Sequence, residues 1–211
     1  MSTGEHMYGQ SPACLFFVFS NAGPGGDEAL HRWYMEVHGP DAFAGGSFSA
    51  LHRYEAVGSY DARFLAIWEG GFTSLDEVRS RMTPGSAGLR ERGRITEDLI
   101  VVWSSMNFLT DTTGDPDAGP VRMLTLVEGG CFDVPGVTRY RYGNVVLYES
   151  SDDTDSGAAR WCGRGRDGIA PHGPYRNIFD HPEAWPPAGE PVTEPWISHW
   201  RPIGSLVKDP R

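Results

Sequence analysis

Cysteine is scarce in this chain, with three in 211 residues, and none stands at ligand spacing from another cysteine or a histidine. Cys14, Cys131 and Cys162 are an odd set without a CxxC pair, which argues against a disulfide framework and a structural zinc site and points to a reducing, cytoplasmic setting. Positive charge is also sparse. Eighteen Lys and Arg against 28 Asp and Glu leave a formal charge of −10 and a pI near 5.1. Binding a phosphate backbone requires clustered cations to displace counterions, and the chain has no such cluster, so a nucleic-acid partner is not expected. No apolar run approaches the roughly 18–20 residues that span a bilayer, so no membrane partner is expected either. The opening MSTGEHMYGQSP lacks the basic-then-apolar layout of a secretion signal and reads as a flexible tail over residues 1–12.

Several functional motifs are missing as well. The GPGG at Gly23 to Gly26 sits between a strand and a helix, yet it lacks the GxGxxG and GxxxxGK spacings and reads as a turn. There is no GxSxG elbow for a serine hydrolase. No HxH or HxxxH pair occurs. His31 and His38 are seven apart, about 10 Å along a helix, too far to share one ion. Neither a metal nor a cofactor is therefore expected.

What the chain does have is apolar and aromatic bulk, 39% and 12% of residues, with seven Trp. That suffices for a core and a lined cavity. The run CLFFVF (Cys14 to Phe19) predicts a strand covered on both faces. Asp27 is a candidate N-cap, and Leu30, Trp33, Tyr34 and Val37 form one helical stripe that Gly39 and Pro40 should stop. From Ser47 to Val57 the period becomes two, with Phe48, Ala50, His52, Tyr54 and Ala56 on one face. A further strand follows over 63–69. Thr73 or Ser74 can cap a short helix reaching Met82, ended by Pro84, and residues 99–109 form a fourth strand. Strand, helix, strand, strand, helix, strand is the ferredoxin-like order.

The fold class expected is therefore α+β, a ferredoxin-like arrangement in two tandem modules. The first module covers 13–110. Residues 111–120 form a linker rich in turn residues. Residues 121–211 form a degenerate, helix-poor copy. In that copy, 122–127 stands for the first strand, 137–142 and 144–149 echo RYEAV and RFLAIWE, and Trp196 to Leu206 lies over Leu99 to Leu109 with Trp200 on Trp103. Only CFDVPG separates its first two strands, too little for a helix. The stretch 151–195 is expected to be a long irregular loop of the kind that carries lids or binding residues.

The segment HRWYMEVHGPDAFAGGSFSALHRY, by its Trp33, His38, Pro40, Gly45 or Gly46, Arg53 and Tyr54, resembles the EthD-like branch of the dimeric α/β-barrel superfamily. The likeness covers Leu15 to Leu109, and departs from the pattern in Gly39 and Asp41 around the proline and in the helix-poor second copy. It implies paired sheets, a homodimer or an internally closed barrel, and a pocket for a small hydrophobic or aromatic molecule worked on without a cofactor. It implies no particular reaction.

From the residues themselves, Tyr34 and His38 lie four apart on one helical face with Asp41 just beyond. A carboxylate near an imidazole can fix its tautomer and raise its pKa, giving a general base. Equally, His38 can serve the helix C-terminus as a cation. His52 and Tyr54 share a strand face that points either into a barrel or onto the helices, with Arg53 opposite them beside Glu55. Trp33, Trp68, Trp103 and His199 complete the candidate substrate wall, although Trp pairs such as Trp196 and Trp200 also suit a core. His172 and His181 sit in the long loop.

The leading expectation is a cofactor-independent lyase, decarboxylase or cyclase acting on a small aromatic or polyketide-like substrate. His38 would be its acid or base, with Asp41 and Tyr34 assisting. A cofactor-free monooxygenase and a non-catalytic binding protein are the alternatives.

Overall fold

The computed structural model describes residues 12–113, 121–134, 137–142, 145–151, 158, 161, 163–169 and 194–208. Cys162, His172, His181 and most of the 151–195 stretch lie outside the described residues. The strands are β1 (Cys14–Ala22), β2 (Ala50–Ala56), β3 (Phe64–Gly70), β4 (Leu99–Thr113), β5 (Met123–Glu128), β6 (Thr138–Tyr142), β7 (Val145–Ser150), β8 (Arg166–Asp167) and β9 (Trp196–Val207). The helices are α1 (Gly26–Trp33), a π-helical turn (Tyr34–His38), α2 (Gly39–Ala44) and α3 (Leu75–Glu91).

The strands run in the order β2-β3-β1-β4-β6-β7-β5-β9, and β9 pairs back onto β2, so a barrel of antiparallel strands closes within one chain. Its second four strands repeat the order of the first four. Two long strands make the joints. The N-terminal part of β4 pairs with β1 and its end with β6, while the start of β9 pairs with β5 and its end with β2.

Alternation along the strands sorts side chains between two sides of this wall. Leu15, Phe17, Phe19, Leu65, Ile67, Leu124, Leu126 and Leu147 fill the barrel with Trp103 and Trp200. Phe19 stacks on Trp103 at 4.5 Å between centroids and meets Trp200 at 5.5 Å. The intervening Phe16, Val18, Ala66, Trp68 and Met106 point outward and are covered by Leu30, Tyr34, Phe43 and Val78 from the helices. This explains why CLFFVF is apolar without interruption: all of its residues are buried, on alternate sides. Among the described residues of the second half only Ala158 is helical. There Val127, Val146 and Ile197 pack outward against Val134 and Trp161, and the Tyr148 hydroxyl pins the covering loop by accepting from the Phe132 N–H at 2.7 Å and donating to its carbonyl at 2.9 Å.

Three boundaries differ from expectation. Gly39 and Pro40 do not stop the first helix; the chain continues through the π turn into α2. Pro84 does not end α3, which runs to Glu91 while Leu75, Val78 and Met82 pack on the sheet, so packing outweighs the hydrogen bond that a proline removes. Residues 111–113, expected to belong to the linker, extend β4 and pair with β6. At the helix starts, Asp27 lies in the first turn of α1, and the Asp98 carboxylate instead accepts the Gly25 N–H at 2.6 Å. Ser74 caps α3 by accepting the Glu77 N–H, and Glu77 reaches back to the Thr73 N–H at 2.9 Å, a reciprocal cap.

One end of the barrel interior is polar. His52 bonds Glu69 at 2.8 Å and Ser205 at 3.1 Å, and Glu149 is buried nearby with Tyr54, Tyr140 and Tyr142. Burial raises the Glu149 carboxyl from 4.5 to about 8; the neighbouring Glu69 charge adds to this and the Tyr140 hydroxyl opposes it. The folded chain thus keeps a proton that the unfolded chain releases. The associated stability is complete below pH 4.5 and is lost as pH climbs to about 8. Glu149→Gln, which keeps the neutral shape, should bring the urea midpoints measured at about pH 5 and about pH 8.5 closer together than in the parent. An equal separation in both proteins would assign the loss to another group.

Candidate functional site

The helical segment that crosses the outer face of the first half is shaped by one missing donor. Pro40 has no N–H, and its ring crowds the carbonyl four residues back, so the ladder widens and the Gly39 N–H donates to the carbonyl of Tyr34, five residues earlier. Such π turns recur at functional sites. Here the widening lays His38 parallel to Trp33, with centroids 4.4 Å apart and planes at 11°. Trp68 from β3 meets the same imidazole edge-on at 5.1 Å, and Tyr34 does so at 5.7 Å.

Beside this ring cluster a cavity of about 530 Å³ opens between sheet and helices, lined by Phe16, Val18, Trp68 and Ser104 from the strands and by Tyr34, His38, Met82 and Leu89 from the helices. The expected residues Trp33, Tyr34, His38, Asp41 and Trp68 therefore meet at one place. His38 Nδ1 is buried and has no hydrogen-bond partner. Burial, partly offset by the Asp41 charge, lowers the imidazole pKa from 6.5 to about 4. This is opposite in direction to the raised basicity expected from the neighbouring carboxylate. At neutral pH the ring is uncharged, so it does not serve the helix as a cation.

Asp41 does not hold the imidazole. Arg94 binds both of its oxygens, Nε to Oδ2 at 2.7 Å and Nη2 to Oδ1 at 3.0 Å, and that pairing keeps the Asp41 carboxyl below its usual range. The Arg94 carbonyl also accepts the Trp33 indole N–H at 2.9 Å, so one residue from the segment after α3 fixes both the carboxylate and the tryptophan. Nothing local in the sequence marks Arg94, which is 53 positions from Asp41.

Arg53 departs from expectation too. Glu55 pairs with Arg63 at 3.2 Å and Arg201 at 2.7 Å. The Arg53 guanidinium lies instead 4.0 Å over the Tyr34 ring, 1% exposed, with no hydrogen-bond partner on any of its nitrogens. The π face of Tyr34 is thus its principal support.

Four expected wall residues lie elsewhere. His52, Tyr54 and Trp103 face the barrel interior, because strand alternation sends Leu51 and Arg53, and not His52 and Tyr54, to the helix side. His199 sits on the outer face of the second half, bonded to Thr125 at 3.0 Å and 6.4 Å from Trp161. Among the described residues no group of three or more His, Cys, Asp or Glu could hold a metal, and no helix is long and apolar enough to cross a membrane.

No protein-family model matches the sequence, and no curated protein matches it. Among solved structures the chain is similar to an anthrone oxidase-like protein, with 12% identity, 92% of each chain covered and a TM-score of 0.48. It is also similar to a candidate chlorite dismutase, with 13% identity, 90% of this chain and 94% of that chain covered and a TM-score of 0.44. A candidate monooxygenase from Lactobacillus acidophilus aligns over 93% of this chain and 100% of its own, with 11% identity and a TM-score of 0.39. At these values the likenesses carry no weight on the chemistry.

Gly39 is the position on which the ring cluster turns. A Cβ there would sit 2.6 Å from Leu206 Cδ1 and 2.9 Å from the Tyr34 carbonyl oxygen. Gly39→Ala should therefore destabilise the chain by about 1–3 kcal/mol in urea unfolding, the usual cost of overpacking. A variant as stable as the parent would show that the π turn has room to spare.

Proposed function

We propose that this chain is a cofactor-independent enzyme that takes a small aromatic or polyketide-like molecule into the cavity between sheet and helices. The neutral imidazole of His38 is the group that accepts a proton from it. The observation that carries this reading is His38 on the wall of a ring-lined cavity, its imidazole stacked between aromatic rings and its Nδ1 without a hydrogen-bond partner.

The chemistry follows from the environment. Trp68, Phe16 and Phe48 supply flat apolar faces for a ring system. At neutral pH the imidazole is always in its accepting form, but its low basicity confines it to acids whose anions are spread by conjugation, such as polyphenols and 1,3-dicarbonyl compounds. Having taken the proton, the ring becomes an imidazolium beside the Asp41 charge, which favours that form. Returned to another atom of the anion, the proton completes a tautomerisation. Where a C–C bond breaks with loss of carbon dioxide or a carbonyl fragment, it goes to the carbon left behind. Where the anion's carbon attacks an internal carbonyl, it goes to the oxygen that this attack makes an alkoxide, so that decarboxylase, lyase and cyclase outcomes differ only in the substrate. The same low basicity, together with the commitment of Asp41 to Arg94, is what a non-catalytic binding protein would show, and this is the second reading.

Turnover of hydroxylated aromatic and 1,3-dicarbonyl compounds separates the two. For a proton-transfer enzyme, kcat/KM should be level at neutral pH and fall as pH drops through about 4. His38→Gln should lower kcat by about 10²–10⁴ while the fold is kept. Ligand binding without product would favour the binding protein, and oxygen uptake would mark the reaction as a cofactor-free monooxygenation. An unchanged rate in folded His38→Gln would remove His38 from the chemistry.

A further inference from the structure

The cavity has one charged group that proton transfer at His38 leaves unused. Arg92 follows the last turn of α3 and lines the cavity together with Gly88 and Leu89. Its guanidinium lies over Gly88, where a Cβ would come within 3.2 Å of Nη1, so the glycine clears the space that the guanidinium occupies. Asp41, the lining carboxylate whose charge interacts with it, has both oxygens engaged by Arg94. Arg92 therefore has no ion-pair partner among the described residues, whereas Arg94 and Asp41 cancel one another. Among the described residues, the only uncompensated charge on the cavity lining is positive, in a chain whose formal charge is −10.

That placement is informative about the ligand. The body of an acidic protein disfavours anions at long range, so an anionic ligand needs a local cation to be held. A guanidinium offers a planar fork of N–H donors that matches a carboxylate, and pairing gains strength where apolar walls exclude water from one side. The walls here are apolar, and Arg92 is exposed at their edge. A neutral aromatic molecule would use the walls and leave the fork to water; one with an acidic substituent would use both.

We propose, resting on the reading of this cavity as a site for aromatic molecules, that Arg92 is its specificity-determining residue. It selects ligands that carry a carboxylate or a comparably acidic group beside the ring system and pairs with that group at the cavity edge.

Two probes with the same ring system test this, 1-naphthol and 1-hydroxy-2-naphthoate, which differ by one carboxylate. Their binding is followed by calorimetry on the full chain and on Arg92→Gln. The parent should bind the carboxylate at least about tenfold more tightly than the naphthol, a difference of about 1.4 kcal/mol. The preference should shrink as salt is raised. In Arg92→Gln it should fall to about two- to threefold or less, with the affinity for naphthol unchanged, which also reports an intact cavity. Equal affinities in the parent, or a preference that survives in the variant, would overturn the assignment of Arg92 while leaving the aromatic cavity standing. If the parent binds neither probe, the cavity reading falls and this inference with it.

Discussion

A proline two residues past His38 withholds one backbone N–H from the helix that crosses the outer face of the barrel, and the local geometry follows from how the chain accommodates it. The Gly39 amide reaches back five residues instead of four, the turn widens, and the imidazole comes to rest flat on Trp33 with Trp68 at its edge. Burial among rings removes the ordinary stabilisation of the imidazolium. Basicity falls, and Nδ1 is left without a partner. Gly39 is required at the same point because Leu206 of β9 and the Tyr34 carbonyl leave no room for a side chain. A residue contributed by the second half of the chain thus helps to shape the turn in the first.

The barrel sets the stage for this by taking the largest side chains inside. With Trp103, Trp200 and Phe19 packed together in the interior, the apolar surface left outside on β1 and β3 must be covered from without. Helices do this in the first half and leave a cleft, whereas a loop fastened by Tyr148 does it in the second. Pairing of β9 with β2 completes the wall inside one chain, so a second copy is not needed to close it.

Much of this was legible beforehand. The uninterrupted apolar run of β1, the two helices of the first half and the repetition of strands after residue 121 all follow from periodicity and turn residues. The grouping of Tyr34, His38 and Asp41 followed from helical spacing. Three things did not. Gly-Pro reads as a helix stop, and only packing against Leu206 and the sheet decides that the chain continues helically. A period of two shows that His52 and Tyr54 share a face, but not that the face is the interior; Arg53, on the other face, is the one that reaches Tyr34. The partner of Asp41 is Arg94, far along the chain, and without it the carboxylate reads as the natural orienter of His38. Long-range pairing of this kind leaves no local trace in a single sequence.

Enclosure of His38 as a neutral imidazole is most directly tested by its own titration, followed through the ring Cε1 proton by NMR with His38→Gln used to assign the signal. A ring that stays neutral through physiological pH and titrates near 4 is expected. A midpoint close to the ordinary 6.5 would place the ring in water and contradict the site built around it.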